Sequence, residues 1–268
     1  MNMKTLLKAL SLICLSSFAL AKNDCRTLMR SYKDGDEDNV IVDCSNNSNG
    51  ELSYLHLYNN FDLSENDFNK IFSYSTISKL TYAEDKGKCH PLLNRISGLS
   101  NLEDLMIQSY KGHIEKGILK DLNNLWKLTI QYTYLSNDNI NEIISLPNLR
   151  ELSFYNMEFE SDISFKPLKK ATNIQSVAIK DIVINQSLFN EISSLSNLQE
   201  LKIDLFSSKL SFLATSFDSV KNLTSLTVLE FNSDLPSVPE FVYSIPNLKK
   251  LIYKIEYKIQ FIELIKKI

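Results

Sequence analysis

"LPNLRELSF", residues 146–154, is one copy of a phrase that the chain repeats. Close copies are "LSNLEDLMI" at 99–107, "LNNLWKLTI" at 122–130 and "LSNLQELKI" at 195–203. Looser ones are "ATNIQSVAI" at 171–179, "LTSLTVLEF" at 223–231 and "IPNLKKLIY" at 245–253. Apolar residues hold fixed places while the polar ones between them change. In the x-L-x-L part the two kinds alternate, which is the period of a strand with one buried face. Aligned on L-x-x-L-x-L, the cores begin at Leu52, Ile77, Leu102, Leu125, Leu149, Ile174, Leu198, Leu226 and Leu248. Successive steps are 25, 25, 23, 24, 25, 24, 28 and 22 residues. A steady period of this size marks a solenoid, whose units are too small to bury their apolar face alone and must stack.

The expected fold is therefore α/β: a curved parallel sheet of about nine strands over residues 52–253. The return segments, such as "NDNINEIISLP" (137–147) and "NQSLFNEISSLS" (185–196), carry inward Ile, Leu and Phe at irregular helical spacing and should form the convex side. The ends of such a stack expose core and need covers. Residues 22–51 are expected to form an N-terminal cap: a short helix over "NDCRTLMRSY" with Asp24 as N-cap, then a strand in the β-branched "NVIVDCS". Residues 254–268 are expected to be a C-terminal cap, because Leu251, Tyr253, Ile255, Tyr257, Ile259 and Phe261 alternate as in a closing strand or hairpin.

Residues 1–21 differ from the rest. Lys4 and Lys8 precede the apolar run "ALSLICLSSFALA", which ends in the small-x-small pattern Ala19-Leu20-Ala21. That is the pattern of a secretory signal peptide. Secreted location follows, with no membrane insertion after its removal, since no later stretch has 18 uninterrupted apolar residues. The net charge is −3, and losing Lys4 and Lys8 makes it −5. With no basic stripe either, nucleic acid is excluded as a partner. In an oxidising compartment Cys25 and Cys44 are the natural disulfide pair. Cys89 is left over, as a buried thiol, an alternative partner for Cys44, or an intermolecular link. Asn46, Asn185 and Asn222 each begin an Asn-x-Ser/Thr sequon and are candidate glycosylation sites.

L-x-x-L-x-L at this period is the signature of leucine-rich repeats, which the chain resembles over residues 52–253. A further Leu or Ile three positions upstream (Leu99, Leu122, Leu146, Leu195, Leu223, Ile245) and a following Asn (Asn101, Asn124, Asn148, Asn197, Asn247) extend the likeness. "DLPSVPEFVYSIPNL" at 234–248 looks like the corresponding segment of the plant-type, receptor-like class, which includes polygalacturonase-inhibiting proteins. A leader, a cysteine-bearing cap and Lys/Asn/Ile-rich repeats are also similar to secreted repeat proteins of anaerobic gut fungi. The chain departs from the class at the ninth repeat position, where Asn usually bonds neighbouring backbones. Here the residues are Asn60, Asp85, Tyr110, Thr133, Met157, Ile182, Phe206, Asp234 and Glu256.

The resemblance implies a display scaffold that binds through its concave sheet. The third, fifth, seventh and eighth residues of each core are expected to face that side. The candidate ligand-binding residues are Tyr54, His56, Tyr58, Lys127, Gln131, Tyr132, Glu151, Tyr155, Lys180, Glu200, Lys202, Asp204 and Glu230. Rigid, amphipathic tyrosine is favoured in protein recognition, so Tyr54, Tyr58, Tyr132 and Tyr155 are the expected anchors. The reading is a protein or peptide ligand. The alternatives are a cell-wall polysaccharide stacked on tyrosines and inhibition of a secreted carbohydrate-active enzyme. No catalytic motif surrounds His56, His90 or His113, adjacent Cys89-His90 is too close for a metal pair, and no cofactor is expected. Trp126, at the second core position, is expected to pack between repeats.

Overall fold

A computed structural model of the chain describes residues 22–32, 40–59, 63–85, 91–159, 163–205, 216, 218–232, 237–255 and 258–263. Its framework is a 12-stranded sheet. Strands β2 (Leu52–Tyr58), β3 (Lys79–Glu84), β4 (Asp104–His113), β5 (Lys127–Leu135), β6 (Glu151–Tyr155), β8 (Ser176–Lys180), β9 (Glu200–Asp204), β10 (Val228–Asn232) and β11 (Lys250–Ile255) run parallel, each beside its sequence neighbour. The short β7 (Glu158–Phe159) lies off this path, paired with the far end of β5.

The leucines decide the register. Leu55, Leu80, Leu105, Leu128, Leu152, Val177, Leu201, Leu229 and Leu251 form one rank across the sheet, and every one is buried. Two residues on, Leu57, Tyr82, Ile107, Ile130, Phe154, Ile179, Ile203, Phe231 and Tyr253 form a second buried rank. A slip of one residue would turn both ranks to water, so the apolar pattern enforces the pairing.

Behind the sheet the return segments vary. Three contain α-helices: α2 (Glu65–Phe72), α3 (Asn137–Ser145) and α4 (Gln186–Ser193). Others are 3₁₀ turns at Pro91–Gly98, Lys166–Lys170, Asp218–Asn222 and Glu240–Ser244. Local chemistry explains the difference. Ser64 with Asp67, and Ser136 with Asn139, make reciprocal capping boxes, and Asn185 caps α4. The segment after β4 has no such start and forms turns instead. There Gly117 takes a positive φ of 97° and donates its N–H to Glu142 of α3 at 2.6 Å.

The recurring asparagines acquire a role. Asn101, Asn124, Asn148, Asn173, Asn197 and Asn247 each donate a side-chain N–H to a backbone carbonyl one repeat earlier, on Ser75, Ser100, Asn123, Pro147, Thr172 and Thr224, at 2.5–2.9 Å. This ladder stitches the turns that enter the strands. At the ninth repeat position Thr133, Met157 and Ile182 are buried, whereas Asp85 is exposed.

Both ends of the sheet carry an antiparallel strand. At one, β1 (Ile41–Asn46) pairs with β2, and α1 (Asp24–Ser31) covers it with buried Leu28. The Cys25–Cys44 disulfide ties α1 to β1. The N-cap of α1 is Asn23, not Asp24: Asn23 Oδ1 accepts from Arg26 N, while the Asp24 carboxylate accepts from Leu52 N. One step along the chain, the longer-range bond to the start of β2 wins the aspartate. At the other end β12 (Lys258–Glu263) pairs antiparallel with β11. Residues 1–21, expected to be a signal peptide, and Asn60, Cys89, His90, Phe206, Asp234 and Glu256 lie outside the described residues.

Candidate functional site

The side of each strand opposite the leucine ranks presents three outward rows, one residue per strand. Row one runs Tyr54, Lys79, Asp104, Lys127, Glu151, Ser176, Glu200, Val228, Lys250. Row two runs His56, Thr81, Met106, Thr129, Ser153, Ala178, Lys202, Glu230, Ile252. Row three runs Tyr58, Ala83, Gln108, Gln131, Tyr155, Lys180, Asp204, Asn232.

Row one is self-compensating. Lys79 pairs with Asp104 at 3.3 Å, and Lys127 with Glu151 at 3.4 Å. Lys79 also lies over the Tyr54 ring, 5.6 Å from its centre. Row two is low and uncharged from Thr81 to Ala178: Thr81, Thr129 and Ser153 are buried, and only Met106 breaks the run of small residues. Row three is walled by Gln108, Gln131 and Tyr155, all half-buried. Four residues separate rows one and three, about 13 Å along a strand. The result is a shallow neutral trough across β3 to β8. Charge returns at β8 to β10, where Lys180 pairs with Asp204 at 3.9 Å and Lys202 with Glu200 at 3.2 Å.

The candidate residues fall into three places. Tyr54, His56 and Tyr58 lie on β2. Lys127, Gln131, Glu151 and Tyr155 lie together on β5 and β6. Lys180, Glu200, Lys202, Asp204 and Glu230 lie on β8, β9 and β10. Tyr58 and Tyr155 are four strands apart, about 19 Å, so the row-three tyrosines do not form one continuous stacking platform. The Tyr58 hydroxyl is engaged with the Asp85 carboxylate. Burial holds the His56 imidazole below its ordinary pKa, opposed in part by Asp43 across the β1 pairing.

The eighth core position corrects the sequence reading. Asn59, Glu84, Ser109, Asp181 and Leu205 are buried there, not displayed. At Tyr132, Asn156 and Asp181 the backbone crosses into the left-handed region, with φ of 56°, 52° and 54°. This flip ends the strand alternation and turns the next residue inward. Asn and Asp tolerate that conformation, whereas a bulky aromatic resists it. Tyr132 holds it with its side chain 38% exposed. Beyond it, the Tyr134 and His113 rings stack at 4.7 Å. Trp126 also departs from expectation: it is 36% exposed, because the second core position sits at the sheet edge and not between repeats.

The three sequons differ. Asn46 is engaged at both ends of its amide, Oδ1 accepting from Cys25 N and Nδ2 donating to Asn23 Oδ1, each at 2.9 Å. A glycan on Nδ2 would compete with the bond to Asn23. Asn185 uses only its oxygen, accepting from Leu188 N, and Asn222 is exposed.

No model of a known protein family matches the chain, and no curated protein matches its sequence. Solved structures do match. A leucine-rich repeat protein of Leptospira interrogans is 25% identical over 76% of this chain, with a TM-score of 0.52. A chain of the Drosophila Toll–Spätzle complex is 14% identical over 74%, also with a TM-score of 0.52. The fold is a leucine-rich repeat solenoid. It spans 48% of the Leptospira chain and 30% of the Drosophila one. The solenoid presents its outward rows on strands fixed from behind by continuous core, so the trough exists without a ligand to form it. Among the described residues no three His, Cys, Asp or Glu side chains gather as a metal site, and no helix is long and apolar enough to cross a membrane.

Proposed function

We propose that the chain is an exported recognition protein that binds a protein or peptide through its concave sheet. The observation that carries this is the neutral trough across β3 to β8. Its floor is small and its walls are Lys–carboxylate pairs on one side and Gln108, Gln131 and Tyr155 on the other. About 13 Å between walls suits an extended polypeptide segment with side chains. The half-buried glutamine amides resemble peptide groups and offer both donors and acceptors to a backbone. Self-paired row-one charges add little net field, which favours a neutral segment over a strongly acidic or basic one.

Tyr132 supports the same reading. A bulky residue kept at positive φ and exposed beside the Gln131 wall is backbone strain of the kind that persists at binding sites. Export rests on the leader pattern at 1–21 and fits the Cys25–Cys44 disulfide, since such bonds persist in oxidising compartments. Asn185 and Asn222 are the sequons best placed to carry glycans. The plant-type relationship rests on the 234–248 segment.

A pull-down from a mixture of secreted proteins tests this, comparing the wild type with Tyr132→Ala plus Tyr155→Ala. Loss of a single protein partner by the variant is the expected result. Retention only on cell-wall glycan favours the polysaccharide alternative, and unchanged protein capture by the variant removes the trough as the site.

A further inference from the structure

The sheet has a second feature that the concave trough does not use. At the edge where the strands begin, one residue before row one, successive repeats from β5 to β9 place Trp126, Arg150, Gln175 and Gln199 side by side. Their backbones are committed. Arg150 N and Glu151 N both donate to Trp126 O, Gln175 N and Ser176 N to Arg150 O, and Gln199 N and Glu200 N to Gln175 O, at 2.8–3.0 Å. Their side chains are less so: the Lys127 ammonium lies over the Trp126 ring, 6.0 Å from its centre. Among the described residues the Trp126 indole N–H, the Arg150 guanidinium and the two glutamine amides make no hydrogen bond or ion pair within the chain. Together with Glu151, Ser176 and Glu200 they line a groove of about 310 Å³.

The chemistry of that groove is narrow. One wall is a row of flat groups, an indole followed by a guanidinium and two amides, repeating at the strand spacing of about 4.8 Å. Two carboxylates also line the groove, each already beside a lysine: Glu151 with Lys127 and Glu200 with Lys202. Those carboxylates repel phosphates, and the single free guanidinium gives no strong field for a polyanion. An extended peptide repeats its side chains on one side about every 6.6 Å, out of step with this row of protruding groups, whereas the small-residue floor of the trough requires no such match. A chain of linked six-membered sugar rings does better. Its hydroxyls both donate and accept, its rise per ring is close to the strand spacing, and its C–H faces carry slight positive charge. The negative face of an aromatic ring attracts such C–H groups.

We propose that this edge groove is a binding site for a neutral oligosaccharide of about three rings, since three strand steps span about 14 Å. The indole face of Trp126 turned away from Lys127 receives the C–H face of one ring. Arg150, Gln175 and Gln199 hydrogen-bond the hydroxyls of the rings that follow, and Glu151 and Glu200 accept from others. The site is distinct from the tyrosine-bearing wall of the trough, although Glu151 and Ser176 border both.

Trp126 is the only tryptophan in the chain, so its emission reports on this groove alone. The whole protein is titrated to millimolar concentration with cellohexaose, xylohexaose, mannohexaose, laminarihexaose and chitohexaose, and with an uncharged peptide of similar length. The expected result is a saturable blue shift with at least one of the sugars and none with the peptide. In Gln175→Ala plus Gln199→Ala, which keeps the reporter, affinity should fall about tenfold or more with the thermal midpoint unchanged. Tyr132→Ala plus Tyr155→Ala should leave the sugar response intact, which separates this proposal from the protein-binding one. No saturable shift with any sugar overturns it. So does an equal response in the glutamine variant, or a peptide response matching the sugar's.

Discussion

Each strand has two faces, and they behave in opposite ways. On β6, Leu152 and Phe154 face inward and are buried with their counterparts on every neighbouring strand. Glu151, Ser153 and Tyr155 alternate with them and face outward, and their counterparts change character from strand to strand. The inward ranks are apolar throughout because each repeat must bury the same stripe against the next. The outward rows carry no such demand, so what stands there is free to serve recognition. The difference separates residues that hold the fold from residues whose identity the fold leaves open.

The sharpest way to break this division is to truncate an inward residue. Leu152→Ala should cost about 3–4 kcal/mol, read from denaturant unfolding, because it leaves a cavity in continuous core. A cost below about 1 kcal/mol would mean the inward rank is not the stabilising one. Tyr132→Asn is a milder probe with the opposite sign. Relief of the left-handed backbone should raise stability by about 1 kcal/mol while weakening ligand capture, since the aromatic ring is lost. Asn148→Ala should cost about 1 kcal/mol by removing one rung of the entering ladder, its 2.7 Å bond to Asn123 O. Ligand capture should not change.

His56 gives the smallest effect. Its folded pKa lies below the ordinary value of 6.5, so the folded chain binds fewer protons than the unfolded one as pH falls. Its contribution is complete above about pH 6.5 and declines below it. Replacing His56 with Gln should flatten the acid side of the stability profile slightly, measured as unfolding midpoint against pH. A steeper acid slope in the variant would reverse the sign.

Much of this was readable from the leucines. Their spacing placed the strands and predicted the register, because a one-residue slip turns both buried ranks outward. Cys25 and Cys44 were the natural pair and are joined. The failures share a cause. Positions two and eight lie where the strand begins and ends, and alternation does not govern them. Asn59 and Ser109 are buried at position eight without a backbone flip, whereas the flip at Tyr132, Asn156 and Asp181, which turns Thr133, Met157 and Ile182 inward, depends on φ, which no apolar period reports. Trp126 lies at the edge by the same geometry. The repeating asparagines were visible as a pattern, but their carbonyl acceptors belong to the preceding repeat and become evident only when repeats are stacked. The helix-or-turn choice behind the sheet depends on caps such as Ser64–Asp67 and Ser136–Asn139, not on the leucine period.

The central claim is that ligand lies along the outward rows. A photoreactive amino acid placed at Gln131, in the trough wall, or at Ser187, exposed on α4 behind the sheet, tests it directly. After irradiation with secreted proteins, the account predicts a discrete covalent adduct from position 131 and none from 187. An adduct from 187 alone, or equal labelling from both, contradicts it.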